Sequence, residues 1–261
     1  MRLQKFIVSD YDLTQLVHSE AALNELKQGL MQGIAYKIPH SLDVKKMLEI
    51  RDELDKTFDL YDDSYTPRVP NVKNYRQRHW DHESQIIPAK YISWSYFPWN
   101  VQSKLLFHFF LELFVLRNIL AGLDRYRYLD GADTQATARL AFQFYPSGAG
   151  YMHEHQDPYS EHQFALPTLL LSNYGKDYKK GGFFAVNRNN EKVVFDENLE
   201  FGDLTLFHPS IPHGVEAIDP EADVGTCKSI TNGRLMMIAG VNGYSGQGAQ
   251  YDATVSKNAQ V

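Results

Sequence analysis

After Asp133 the chain divides into short segments that read as strands, each closed by a turn signal, and this regular alternation limits the possible folds more than any other feature. The candidates are Ala138–Tyr145, Gly150–His155, Thr168–Ser172, Gly182–Val186, Lys192–Phe195, Asp203–Phe207, His213–Ala217 and Arg234–Val241. Between them stand Pro146-Ser147-Gly148, Gly181-Gly182, Asn189-Asn190 and, after the last, Asn242-Gly243. Short strands at this density predict a closed barrel or a two-sheet jelly roll. There is no internal repeat.

The first half has a different period. Asp12 is placed to cap a helix that carries Leu16, Leu23, Leu26 and Leu30, weakened and then ended by Gly29 and Gly33. Ile34–Ile38 reads as a strand stopped by Pro39. Ser41 is expected to cap a second helix with Val44, Met47, Leu48 and Leu54 on one face. Residues 59–99, with Pro67, Pro70, Pro88 and Pro98, are expected to be loop, including the aromatic group Trp94, Tyr96, Phe97 and Trp99. These aromatics are expected to be a structural cover rather than a substrate box. A third helix is expected from Val101 to Leu120. The expected whole is one domain, mainly β with a helical flank: helices and lid loops over 1–132, a jelly-roll core over 133–245, and a small polar tail over 246–261 that frays.

Composition removes several function classes. The net charge is −6, so no basic footprint for nucleic acid is present. The single cysteine, Cys227, excludes an intrachain disulfide and a cysteine-rich zinc site. Met1–Asp10 lacks the apolar run of a signal peptide, and Leu105–Leu116, which contains His108 and Glu112, is too short and polar to span a bilayer. A cytoplasmic protein with no membrane partner is expected.

Chemistry gathers in the second half. In His155-Gln156-Asp157 the two outer residues share a face if the strand extends that far. His213 follows the turn His208-Pro209-Ser210-Ile211-Pro212 and opens an apolar strand, so it is preferred to His208 as a third ligand. Two imidazoles and one carboxylate form the facial triad of non-haem iron(II) sites, with open positions left for other ligands. Arg234 begins an otherwise apolar strand and is suited to grip a carboxylate by two parallel hydrogen bonds. Lys228, in a loop, is its rival. Gln143 and Tyr145 share a face of an earlier strand and are placed to hydrogen-bond a cosubstrate.

With these residues in place, the chain resembles the iron(II)/2-oxoglutarate-dependent oxygenases. The matching features are His155-x-Asp157, the turn Lys180-Gly181-Gly182-Phe183-Phe184, Gly202-Asp203 leading to Phe207, His213-Gly214-Val215, and Gly233-Arg234. The resemblance covers roughly 138–243 and looks closest to the prolyl-hydroxylase-like and phytanoyl-CoA-hydroxylase-like branches. It implies a double-stranded β-helix, iron(II) on His155, Asp157 and His213, 2-oxoglutarate with its distal carboxylate on Arg234, and O2 as second cosubstrate. The implied reaction is hydroxylation of an unactivated C–H bond of a small, amino-acid-like or natural-product molecule, with succinate and CO2 as coproducts. The gap from His213 to Arg234 is longer than is usual for the family.

Other readings use the same residues differently. His153-x-His155 followed by Glu161 and His213 resembles a cupin metal site, of an isomerase or a cofactor-independent dioxygenase. A non-catalytic jelly-roll binding module is a further alternative. Because 153, 155 and 157 share parity, His153 is expected to face inward beside the ligands or the substrate. His162 reads as a loop histidine. His79-Trp80-Asp81-His82 has ligand types but no third partner, and reads as part of a lid or substrate loop.

Overall fold

The computed structural model describes residues 1–39, 41–58, 72–80, 87–129, 136–157, 159, 162–223, 228–245 and 249–252. The strands are β1 (Lys5–Val8), β2 (Ile34–Ile38), β3 (Tyr75–Trp80), β4 (Ala89–Tyr96), β5 (Ala136–Pro146), β6 (Tyr151–His155), β7 (Leu166–Leu170), β8 (Gly182–Val186), β9 (Lys192–Val194), β10 (Leu204–Phe207), β11 (His213–Glu216), β12 (Gly233–Ser245) and β13 (Ala249–Asp252). The helices are α1 (Leu13–His18), α2 (Glu20–Met31), α3 (Val44–Asp55), α4 (Lys104–Phe109) and α5 (Leu111–Leu120). All eight strands expected after Asp133 are present.

The strands hydrogen-bond in the order β1-β2-β10-β7-β12-β5-β4-β6-β11-β8-β9, with β13 on β12 and β3 on β4. Consecutive strands from β5 to β12 alternate between two groups, except that β8 and β9 pair with each other within one. β5, β7, β10 and β12 lie in one, and β6, β8, β9 and β11 in the other. This is the jelly-roll connectivity of a double-stranded β-helix. β4 joins the groups, because Ala89 and Lys90 pair with β6 while Ile92–Tyr96 pair with β5.

Facing is set by the period of two. Along β12, Leu235, Met237, Ala239 and Val241 pack outward with Leu113, Phe114, Leu116 and Leu120 of α5 in the largest core cluster. Arg234 and Met236 face the other way, and Met236 meets Tyr145, Tyr178 and Val215 inside the barrel. Every residue of β5 is buried, as expected for a strand covered on both faces. Burial of these apolar side chains, at ~25 cal/mol per Å2 of area removed from water, is the main force holding helices to sheet.

Several local expectations are corrected. The first helix is two helices. Ser19 takes an extended conformation, and its Oγ accepts from Ala22 N and starts α2, while Asp12 and Gln15 form a capping box on α1. Apolar spacing alone cannot see this break. Asp43, not Ser41, caps α3, accepting from Lys46 N at 2.7 Å, and Ser41 Oγ instead donates to Ile38 O. The buried face of α3 is Met47, Ile50 and Leu54, whereas Val44 and Leu48 are exposed. The helix expected at 101–120 is a 3-10 turn, α4 and α5, broken where Phe110 leaves the helical region to bury its ring near Phe142.

Within the segment expected to be loop, β3 and β4 form an antiparallel pair, with Trp94 and Phe97 in the core. These two aromatics are structural, as expected. Residues 59–71 and 81–86 of that segment lie outside the described residues. β13 shows that 249–252 of the expected frayed tail pairs with β12. Among the described residues, no helix is long and apolar enough to cross a membrane.

Candidate metal centre

β6 and β11 run antiparallel with His155 directly opposite His213. The register then slips, so that His213 and Val215, two residues apart, face His155 and Met152, three apart. The extra residue is a β-bulge, and it changes which side chains point inward. Met152 and His155 both face the barrel, while His153 is exposed. The inward place expected for His153 from parity is therefore wrong. Its contribution is its backbone carbonyl, 2.9 Å from His155 Nδ1.

β6 stops at His155, so strand parity does not place Asp157 either. Its backbone N–H donates to Pro209 O at 3.0 Å, and the neighbouring Gln156 side chain donates to Ser210 O at 2.8 Å. The proline-bearing turn thus holds one ligand type and delivers another, since β11 begins at its end.

His155, Asp157 and His213 each offer a donor atom, all within 4.8 Å of one another. His155 Nε2 lies 3.7 Å from Asp157 Oδ1, and His213 Nε2 lies 3.3 Å from Asp157 Oδ2, with all three side chains 6–7% exposed. His213 Nδ1 is 2.8 Å from Ile211 O. A carbonyl only accepts, so Nδ1 carries the proton in both rings and each Nε2 presents a lone pair. Burial, then the neighbouring His213, lowers the His155 pKa to about 4, which keeps that ring neutral. Two lone pairs and a carboxylate converge with no donor among them. Such a set is electrostatically incomplete without a cation, and its composition fits iron(II).

The other histidines serve elsewhere. His208 is buried against the rings of Tyr159 and Phe164, with Nδ1 accepting from Ser210 N, and burial lowers its pKa to about 4. His162 takes the Tyr128 hydroxyl on Nδ1 and the Arg117 guanidinium on its carbonyl. His79 stacks on Tyr91 and contacts Ser93 Oγ at 3.0 Å. Asp81, His82 and the Glu161 of the cupin reading lie outside the described residues, and the exposure of His153 removes that reading's first ligand.

Arg234 is buried on the inner face of β12, directly opposite Tyr145 of β5. Its rival Lys228 is exposed. Arg234 has a partner that sequence reasoning missed. Its Nε donates to Asp196 Oδ2 at 2.5 Å and its Nη2 to Asp196 Oδ1 at 3.1 Å. Asp196 also accepts from the Tyr178 hydroxyl and from Phe183 N. Burial works against the Arg234 charge, but Asp196 and then Tyr178 more than offset it, and its pKa is raised. Its Nη1 donates to the Met236 sulfur at 2.7 Å. Gly182 makes room for the pair, since a Cβ there would lie 2.4 Å from Asp196 Oδ2. An isolated acid in a polar turn has no periodic signature, so nothing in the sequence singled out Asp196.

The Tyr145 hydroxyl donates to Gln143 Oε1 at 2.9 Å. That bond turns the Gln143 amide nitrogen away from Tyr145. Burial, then Tyr91, raises the Tyr145 pKa, so the phenol stays protonated.

No family's sequence model matches the chain, and no curated protein matches it. Solved structures do. A prolyl hydroxylase from Trichoplax adhaerens, in complex with a hypoxia inducible factor peptide, is 14% identical, with a TM-score of 0.50 over 94% of this chain and 95% of that one. A Pseudomonas putida prolyl-4-hydroxylase is 13% identical, TM-score 0.47, over 83% and 96%. An oxidoreductase of the 2OG-Fe(II) oxygenase family from Burkholderia pseudomallei is 11% identical, TM-score 0.47, over 92% and 95%. At these identities the likeness establishes the fold, and the Trichoplax structure carries it. In fold the chain is similar to that prolyl hydroxylase, and its own His155, Asp157 and His213 form a His-Asp-His triad.

Proposed function

We propose that this chain is an iron(II)/2-oxoglutarate-dependent dioxygenase that hydroxylates an unactivated C–H bond of a small molecule. The observation that carries this is the convergence of two Nε2 lone pairs and the Asp157 carboxylate at one buried point. His155, Asp157 and His213 would hold the metal. Bound iron(II), with 2-oxoglutarate and O2, supplies the oxidation of the C–H bond and leaves succinate and CO2.

The protein's own residues do the positioning. Carbonyls of His153 and Ile211 fix both imidazole planes and tautomers, so the ligand atoms need no rearrangement when a cation arrives. Arg234 is the anchor for the distal carboxylate of 2-oxoglutarate. Asp196 already occupies two of its nitrogens, so Nη1 is the one that meets the cosubstrate. The Gln143 amide nitrogen is a further donor on the same face, oriented by the Tyr145 hydroxyl, whose single proton goes to Gln143 Oε1. A barrel lined by Met152, Val215 and Met236 limits water around the reacting centre. A cytoplasmic location, with no nucleic-acid or membrane partner, accords with the acidic composition and single cysteine.

The test is direct. The anaerobically purified protein should convert 2-oxoglutarate to succinate only when iron(II) and O2 are both supplied, and faster with substrate. Arg234→Ala should chiefly raise KM for 2-oxoglutarate, by roughly 2–5 kcal/mol of lost binding, the range for truncating a buried charge pair. Turnover without iron would overturn the proposal, and an unchanged KM in Arg234→Ala would move the anchor elsewhere.

A further inference from the structure

Asp196 opens the 3-10 turn Asp196–Asn198 after β9 and is 0% exposed. Its Oδ2 receives Arg234 Nε at 2.5 Å, the Tyr178 hydroxyl at 2.6 Å and Phe183 N at 3.1 Å, and its Oδ1 receives Arg234 Nη2 at 3.1 Å. A side chain that takes donors on both oxygens acts as a carboxylate. Burial raises the Tyr178 pKa and Asp196 raises it further, against Arg234, so the phenol keeps its proton and donates it. Besides burial, the groups that act on Arg234 are Asp196, Tyr178 and Tyr145. Both tyrosines are neutral. The anchor is therefore one cation and one anion, with a net charge of zero.

A cosubstrate carboxylate on Nη1 would be the second anion on one guanidinium. Two carboxylates about 5 Å apart, at an effective dielectric of about 20, repel enough to lower affinity by on the order of a hundredfold. A neutral acceptor, such as an amide or ester carbonyl, takes the same Nη1 proton without that loss. Arg139 is buried on β5 and its Nε is given to Ser95 Oγ. It stands in register with Gly240 of β12, about 20 Å along the strand from Arg234 at ~3.3 Å per residue, too far to serve the same ligand group. Specificity is a difference of affinities, and a charge set against one ligand creates it as surely as a contact made to another.

Resting on the oxygenase reading above, we infer that Asp196 determines cosubstrate selectivity: by cancelling the charge of Arg234, it makes the barrel accept 2-oxo acids with a neutral, hydrogen-bond-accepting distal group on a par with 2-oxoglutarate. Arg234 still donates to the distal group, but as one end of a neutral pair rather than as a free cation. Asp196 acts through Arg234 and touches no metal ligand among its hydrogen-bond partners. Its place depends on Gly182, where a Cβ would lie 2.4 Å from Asp196 Oδ2. Replacing the carboxylate by the isosteric amide removes the anion. The amide oxygen can keep the bonds from Tyr178 and Phe183, while the amide nitrogen, itself a donor, releases Arg234 Nη2. Nη1 and Nη2 together then form the fork that grips a carboxylate by two parallel bonds.

The experiment uses the full chain, purified anaerobically and loaded with iron(II), with three probes: 2-oxoglutarate, its 5-carboxamide and its 5-methyl ester. Affinities are read by calorimetry. In the parent, the amide or the ester should bind more tightly than 2-oxoglutarate or within about tenfold of it. Asp196→Asn should bind 2-oxoglutarate at least about tenfold more tightly than the parent does, and the neutral forms should gain less. A merely structural role for Asp196 would weaken all three probes, so a gain for the dicarboxylate alone separates the two. The inference is overturned if the parent prefers 2-oxoglutarate to both neutral forms by more than about tenfold, if it binds none of the three, or if folded Asp196→Asn does not gain. Circular dichroism checks the fold, and the parent's ranking carries the test if Asp196→Asn misfolds. Succinate release with O2 tests the oxygenase reading separately. If the ranking and its reversal hold while no succinate forms, that reading fails and the neutral anchor stands.

Discussion

Two polar stations inside the barrel handle charge in opposite ways. At the metal centre, His155, Asp157 and His213 bring only acceptors together, each imidazole held from behind by a backbone carbonyl. At the other station, Arg234 and Asp196 close on each other at 2.5 and 3.1 Å, with Tyr178 and Phe183 completing the carboxylate's partners. One site is incomplete until a cation enters. The other is complete already and offers a ligand a single remaining nitrogen. A site built to bind can be emptied of a ligand residue at little cost to the fold. A site whose charges satisfy each other cannot.

The largest effect that tests this contrast is on turnover. Asp157→Ala and His213→Ala should each reduce iron-dependent succinate release by more than about a hundredfold, since even residues behind a metal ligand are worth ~10–100-fold. The melting temperature of the metal-free protein should hold or rise, because one of three mutually repelling acceptors is gone. A sharp fall in melting temperature in both variants would erase the distinction between the two stations.

Next comes Asp196→Ala, which leaves a buried guanidinium without its counter-charge. Denaturant unfolding should show a loss of about 3–5 kcal/mol. Adding Arg234→Met should recover much of it, because a well-packed apolar pair replaces an orphaned charge. If the double variant is no more stable than the single one, the ion pair is not what Asp196 contributes. Gly182→Ala addresses the same pair by a smaller route. Gly182 has a φ of +131°, and a Cβ would press on Asp196 Oδ2. Its cost, read from the same unfolding curve, should be about 1–3 kcal/mol.

The smallest effect concerns pH and His208. Burial, aided by the chain's amino terminus, lowers its pKa from 6.5 to about 4. The unfolded chain therefore binds more protons between those values. Stability contributed by the neutral ring is present above pH ~6.5 and is lost as pH falls toward 4, with a slope of at most ~1.4 kcal/mol per pH unit. His208→Phe should flatten that part of the stability profile and leave the rest unchanged.

Much of the fold was legible in the chain. Gly182–Val186 was read to the residue, and turn dipeptides and alternation located the other seven strands of the core. Helix boundaries were harder. Ser19 and Phe110 break helices because of capping and ring packing, not because of propensity. The site was legible in its residue types, since His155, Asp157 and His213 do converge. Their facing does not follow from strand parity. Parity assumed an unbroken strand, whereas a bulge turns His153 out and a turn, not a strand, positions Asp157.

Local chemistry repeats every two residues or every turn, and that repetition is what the sequence by itself determined: a barrel of short strands, an iron-type ligand set, and an arginine at the head of an inward-facing strand. Whatever depends on residues far apart in the chain was decided only by the tertiary structure. Asp196 lies 38 residues from the guanidinium it neutralises, and Thr137 is paired with Asn242 across more than a hundred. Such partners leave no periodic trace, because nothing local in the sequence depends on them, and only strand register brings their charges and amides into one low-dielectric interior where they must be matched.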